Sequence, residues 1–125
     1  MSTLLSDLKD VEGFWYVATP YSKYAAGIEG AAREAARATA WLMKGGVPCF
    51  SPICHTHAIA TEGGIDPLDH AFWMPVDEPM MDAAVGLVVV MMDGWQESYG
   101  VNMEIKMFIC ACKPIHFLDW PGEPT

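Results

Sequence analysis

Positive charge is scarce in this chain: seven Lys and Arg stand against sixteen Asp and Glu, a formal charge of −9. A phosphate backbone is held by a basic surface that displaces its counterions, so nucleic acid is not an expected partner. One small anion remains compatible with that balance, because a helix N-terminus binds anions locally whatever the global charge. Long apolar runs are missing too. None reaches the length of a bilayer span, and Met1-Ser2-Thr3-Leu4 has neither the basic start nor the apolar stretch of a secretion signal. The expectation is a soluble cytoplasmic protein without a membrane partner. The four cysteines, Cys49, Cys54, Cys110 and Cys112, form no C-x-x-C pair. Cys110 and Cys112 lie two apart in a predicted helix and point away from each other. Buried free thiols are expected, rather than a disulfide or a metal site. Repeats, low-complexity tracts and linkers are absent.

What is present is apolar and regularly spaced. With 125 residues, 52% of them hydrophobic, the chain is expected to form one domain over 1–125, its sheet covered on both faces. After a polar leader at 1–12, Phe14 to Ala18 reads as a first strand, ended by Thr19-Pro20. Ser22 offers a helix cap, and Ile28, Ala31, Ala32, Ala35, Ala38 and Leu42 recur at helical spacing, with Arg33, Glu34 and Arg37 on the other face. Gly45-Gly46 suits a left-handed C-cap. Val47 to Phe50 predicts a second strand, followed by an irregular segment from Ser51 to His57. Asp66 and Pro67 suggest a helix through His70, Phe72 and Trp73, interrupted at Pro75 and resumed from Asp77 to Ala84. Gly86 to Met92 is the third strand, a helix carrying Glu104 runs to about Ala111, and Pro114 to Leu118 is the fourth strand. This alternation predicts an α/β fold: a three-layer, doubly wound parallel sheet of the Rossmann or flavodoxin type, with four to five strands.

Glu104 is the first candidate for chemistry. On its predicted helix Val101, Ile105, Phe108 and Cys112 form the core stripe, and Glu104 lies beside that stripe. Helical side chains lean toward the N-terminus, so Glu104 is aimed back over Gly100, where no side chain fills the space. The Ser98-Tyr99-Gly100 turn would wall such a pocket. Apolar neighbours would raise the acid's pKa and the helix N-terminus would lower it. His55 and His57 leave the end of the second strand and are expected in a loop overhanging the same crevice, facing substrate. A metal held by these two with Cys54, Asp66 or His70 is the weaker reading, because no four-ligand spacing appears. Trp73 and Trp95 flank the crevice, where either offers a face for a base. The methionines Met80, Met81, Met91, Met92, Met103 and Met107 fill core gaps or an interface, and a homo-oligomer, dimer or higher, is expected.

The pattern G-W-x-x-S-x-G-V-x-x-E from Gly94 to Glu104, after a valine-rich strand, resembles the nucleoside 2-deoxyribosyltransferase-like superfamily. Three more features agree with it in order. They are Trp15 to Ser22 with Tyr16 at the family's tyrosine, Asp77 eight residues ahead of Val85, and Lys113-Pro114-Ile115 before the last strand. The resemblance covers about residues 14–118. It implies that Glu104 is a nucleophile at the anomeric carbon of a 2-deoxyribosyl group. Asp77 would hold or protonate the departing base, Tyr16 would orient Glu104, and Ser98 with Gly100 would bind the sugar's 5′ end. Tyr99, Trp95, Thr19, His55 and His57 complete the expected substrate-binding set. The partner is a nucleoside or nucleotide, no cofactor is implied, and in the family a neighbouring subunit contributes to the pocket. Base-exchanging members carry an aspartate six residues before the glutamate, where this chain has Ser98. A serine there is the pattern of the deoxynucleoside 5′-monophosphate N-hydrolases, which shifts the expectation toward nucleotide hydrolysis. A non-catalytic nucleotide- or nucleoside-binding module of the same fold is the alternative, and a metal-dependent hydrolase using His55 and His57 the weaker one.

Overall fold

A computed structural model of the chain describes residues 5–122; the first four residues of the predicted polar leader lie outside them. The elements are α1 (Ser6–Lys9), β1 (Trp15–Ala18), α2 (Gly27–Lys44), β2 (Cys49–Phe50), α3 (Pro52–Gly63), α4 (His70–Ala83), β3 (Gly86–Met91), α5 (Tyr99–Cys110) and β4 (Ile115–Asp119). The four strands form one sheet in the order β2-β1-β3-β4, and every pairing is parallel. The chain therefore adopts the expected α/β architecture.

Alternation along the strands separates two cores. Trp15, Val17, Val88 and Val90 point to one face, where Ala38 and Leu42 of α2 cover them. Tyr16, Ala18, Leu87 and Val89 point to the other, against Met81 of α4 and Val101 and Phe108 of α5. Successive strand side chains face opposite ways, so a strand buried on both sides must be apolar throughout, as Leu87 to Val90 are. Alanines at 31, 35 and 38, all fully buried, let α2 lie close to the sheet. The helix ends as its glycines predict: Gly46 takes φ +86°, and Val47 N–H closes onto the Leu42 carbonyl at 3.0 Å.

Several boundaries depart from expectation. Ser22 does not cap α2, which begins at Gly27 with φ +81°, a conformation that bars a right-handed helix from extending further back. The segment after β2 is helical rather than irregular. Ser51 accepts from Cys54 N–H and Pro52 occupies the first turn, a combination that starts a helix. His55 and His57 accordingly sit on α3, not in a loop. Helix α4 starts later than expected, capped by Asp69, and continues through Pro75 and Pro79. Both prolines are solvent-exposed, so the carbonyls they leave unbonded face water, and the helix survives their loss. The thiols are free but not buried: Cys54, Cys110 and Cys112 are exposed and Cys49 is intermediate. Cys112 drops out of the expected core stripe because α5 ends at Cys110 and Cys112 itself turns left-handed at φ +57°. Among the described residues no helix is long and apolar enough to cross a membrane.

At Gly86 the first residue of β3 passes between β1 and the entry to β4. A Cβ there would lie 2.4 Å from the Trp15 ring and 2.6 Å from the Pro114 carbonyl oxygen. Neither neighbour can withdraw, since Trp15 is clamped in the core with its indole N–H on the Leu8 carbonyl. Gly86→Ala is expected to lower stability by about 2–3 kcal/mol, read as a shift in urea midpoint. A loss under about 0.5 kcal/mol would contradict this account of the β1–β3–β4 junction.

Candidate active site

In a doubly wound sheet the ligand crevice opens where neighbouring strands send their connections to opposite sides. Here β1 leads to β2 on one flank while β3 leads to β4 on the other, so the crevice lies beyond the C-terminal ends of β1 and β3. A cleft is present there, open to solvent at its mouth, where a sheet of this kind places its ligand. Thr19 comes from the end of β1, Ser98, Gly100 and Glu104 from the turn and helix after β3, and Asp77 from α4.

The local chemistry of the α5 corner explains how Glu104 reaches the cleft. Ser98 ends the preceding 3-10 turn (Trp95–Glu97) in an extended conformation and accepts from Val101 N–H at 3.3 Å, starting α5. One turn further on is Glu104. Beside Gly100 an added Cβ would meet nothing within 4 Å, so the space over which the glutamate leans is open, as its spacing predicts. Behind it stands Tyr16, fully buried between Phe50 and Phe108, its ring centroid 6.0 and 5.7 Å from theirs. The Tyr16 hydroxyl makes no hydrogen bond of full geometry, and neither does the buried hydroxyl of Thr19. Buried polar groups are ordinarily partnered. Thr19 lines the cleft, and its hydroxyl marks a place where a ligand or water would complete the bonding, whereas the Tyr16 hydroxyl is turned toward Glu104.

The two carboxyls are strongly perturbed. Burial pushes Asp77 up to about 6, against a lowering influence from His55. Burial first, and then the charge of Asp77, push Glu104 up to about 8 against a lowering hydrogen-bonding interaction with Tyr16. Glu104 retains some accessible surface and lines the cleft, and desolvation is the largest influence on it. Asp77 weighs on Glu104 without the reverse because ionisation is sequential: Asp77 loses its proton beside a still neutral Glu104, which must then ionise against an existing charge. Tyr16 is raised far above the phenol range by burial first, then by Glu104 and Asp77, and stays a proton donor.

Of the other expected residues, His57 lines the cleft and His55 does not. Two residues apart on a helix they diverge, and His55 packs on Phe50 with centroids 5.5 Å apart. Trp95 packs on Phe117 instead of the cleft, whereas Trp73 lines it and donates its indole N–H to the Asp66 carbonyl. Tyr99 is exposed and stacks on His70, itself a wall residue. Tyr21 and Thr56, given no role by the sequence, also line the cleft, as do Ser22, expected only as a helix cap, and His70, expected only as a candidate metal ligand. Tyr21 carried a usable signal, since it directly follows the Thr19-Pro20 end of β1. Among the described residues no group of three or more His, Cys, Asp or Glu is placed to hold a metal ion.

The model of a family described as "Domain of unknown function (DUF1937)" matches residues 13–119. No curated protein matches the chain.

Both carboxyls bind protons more tightly in the folded than in the unfolded chain. Their folded-state stabilisation is therefore complete below the ordinary carboxylate range and is lost as pH rises through about 6 and about 8. Thermal unfolding should show the midpoint falling across that window. Glu104→Gln should flatten the upper part and gain roughly 2–4 kcal/mol on the alkaline side. A variant that keeps the wild-type slope would disprove the burial of this charge.

Proposed function

The chain belongs to the DUF1937 family, whose description assigns no activity, and we propose that it breaks the N-glycosidic bond of a 2′-deoxynucleoside or its 5′-monophosphate, by hydrolysis or by transfer to another base. One observation carries this reading: Glu104 and Asp77 face the same cleft with the Tyr16 hydroxyl buried behind them. These three residues are among those that carry the resemblance to the nucleoside 2-deoxyribosyltransferase-like superfamily.

In the proposed reaction a Glu104 oxygen attacks C1′ while the bond from C1′ to the base nitrogen breaks, its electron pair leaving with the base. Asp77 delivers a proton to that base. A glycosyl ester on Glu104 remains, and the negative oxygen stabilises the oxocarbenium-like charge on either side of it. Water, or an acceptor base, then attacks C1′. Asp77, now ionised, takes the proton released, and Glu104 leaves as a carboxylate. The cycle requires one proton on the pair, and the carboxyls hold one between them from about pH 6 to about pH 8. At rest that proton lies on Glu104, and Tyr16, donating toward Glu104, lowers the cost of shifting it to Asp77, the arrangement from which attack begins. At the α5 N-terminus Ser98 has spent an oxygen lone pair on its cap and keeps its hydroxyl proton for the sugar's 5′ end.

The high pKa of Glu104 favours a second reading as well. A carboxyl that is neutral near pH 7 is a hydrogen-bond donor, suited to a protein that binds a nucleoside without cleaving it. Incubation with deoxynucleosides and deoxynucleoside monophosphates, with and without an acceptor base, separates the two. Catalysis gives free base with a bell-shaped pH profile whose limbs lie near 6 and 8. Glu104→Ala should cost about 10³-fold or more, and Tyr16→Phe should move the profile to higher pH. A ligand-induced rise in thermal midpoint with no base released supports the binding module. Turnover indifferent to Glu104→Ala removes the nucleophile assigned here.

A further inference from the structure

A chain of three side chains crosses one wall of the cleft, and the proposed chemistry does not use it. The Tyr21 hydroxyl lies 2.6 Å from Nδ1 of His57, and Nε2 of the same ring lies 3.2 Å from the Glu29 carboxylate. Tyr21 and His57 both line the cleft; Glu29 stands outside it on α2, largely exposed. The rings of Tyr21 and His57 meet edge to face, with centroids 5.7 Å apart and planes at 82°. Their relative orientation is therefore set by packing as well as by the hydrogen bond.

The direction of each bond follows from the donors available. A carboxylate only accepts, so a neutral His57 carries its one proton on Nε2, toward Glu29. Nδ1 then has a lone pair and can only accept, and Tyr21 must donate to it. Burial, and then the charge of Glu29, push the Tyr21 phenol up, so it keeps the proton it donates. That proton is committed to His57. What Tyr21 shows to the cleft is oxygen lone pairs alone.

We infer that Tyr21, held by His57 and Glu29, is a specificity-determining residue that accepts a hydrogen bond from an amino group on the base of the bound nucleoside. This rests on the N-glycosidic reading above. A sugar hydroxyl both donates and accepts, and would satisfy Tyr21 whichever way its proton turned. Only on a base does an amino group in place of an oxo group change the outcome. An oxo group would bring a second acceptor against the phenol oxygen, leaving both without a partner in a part-buried wall. The charge of the cleft acts in the same sense. Its walls include Asp77 and Glu104 and, among the described residues, neither lysine nor arginine. Tyr21 is thus a positioning and selecting group whose acceptor character is imposed by residues behind it.

Binding of 2′-deoxyadenosine, 2′-deoxyinosine, 2′-deoxycytidine and 2′-deoxyuridine, measured by calorimetry at about pH 8, tests this. The Glu104→Gln protein is used so that no bond is cleaved. The amino-bearing member of each pair should bind about tenfold more tightly than its oxo counterpart. Tyr21→Phe should bring that ratio close to unity without weakening the oxo ligands. Glu29→Ala leaves Tyr21 in place but frees the imidazole tautomer, and should cut the ratio to about threefold, an effect that a purely structural role for Tyr21 would not produce. Equal affinities for amino and oxo ligands, or a preference that survives Tyr21→Phe, would overturn the inference while leaving the N-glycosidic reading intact. No binding by any of the four would overturn both.

Discussion

Asp77 and Glu104 share a cleft in which neither is hydrated as it would be in water, and the second to ionise does so against the charge of the first. Such an arrangement is unfavourable by itself and persists only where the surrounding structure holds it in place. Glu104 also lies on the first turns of α5, where the helix N-terminus favours the ionised acid. Burial opposes that effect and wins, because a helix terminus contributes about 0.3–1 kcal/mol whereas removing water from a carboxylate is worth several times as much. The result is a pair that stores one proton near neutrality. Acid–base work at a glycosidic bond has need of that state.

The scaffold that sustains the pair is rigid where it must be. Leu87 to Val90 are fully buried from both faces, and β3 pairs with β1 on one side and β4 on the other. Stability therefore concentrates in the sheet, while polar groups collect beyond its C-terminal edge. Thr19 and Tyr16 arrive from β1, and Ser98, Gly100 and Glu104 follow β3. The strand order makes these two ends neighbours although Thr19 and Ser98 are 79 positions apart in sequence.

What could be read without coordinates was what depends on local spacing. The strands followed from runs such as Leu87-Val88-Val89-Val90, and the open side of Glu104 from the absence of a side chain at Gly100. Helix α3 was harder, because His55, Thr56 and His57 give no apolar stripe; the signal that existed was its cap, Ser51-Pro52, not its periodicity. Local rules split helix α4 at Pro75, and its continuity follows from burial of Trp73 and Met81 on the inner side with the prolines turned to solvent. The Tyr21–His57 bond joins residues 36 apart. No local pattern encodes such a pairing, so it became visible only once β1 and α3 were in place.

Helix α4 carries Asp77 and lacks two of its backbone rungs, at Pro75 and Pro79, four residues apart and both on the solvent side. A rod notched twice along one edge bends about that edge more easily than it twists or slides. α5, which holds Glu104, contains no proline and has no such notch. A change in the curvature of α4 would alter the spacing of the two acids from the Asp77 side, and with it the proton affinity of the pair.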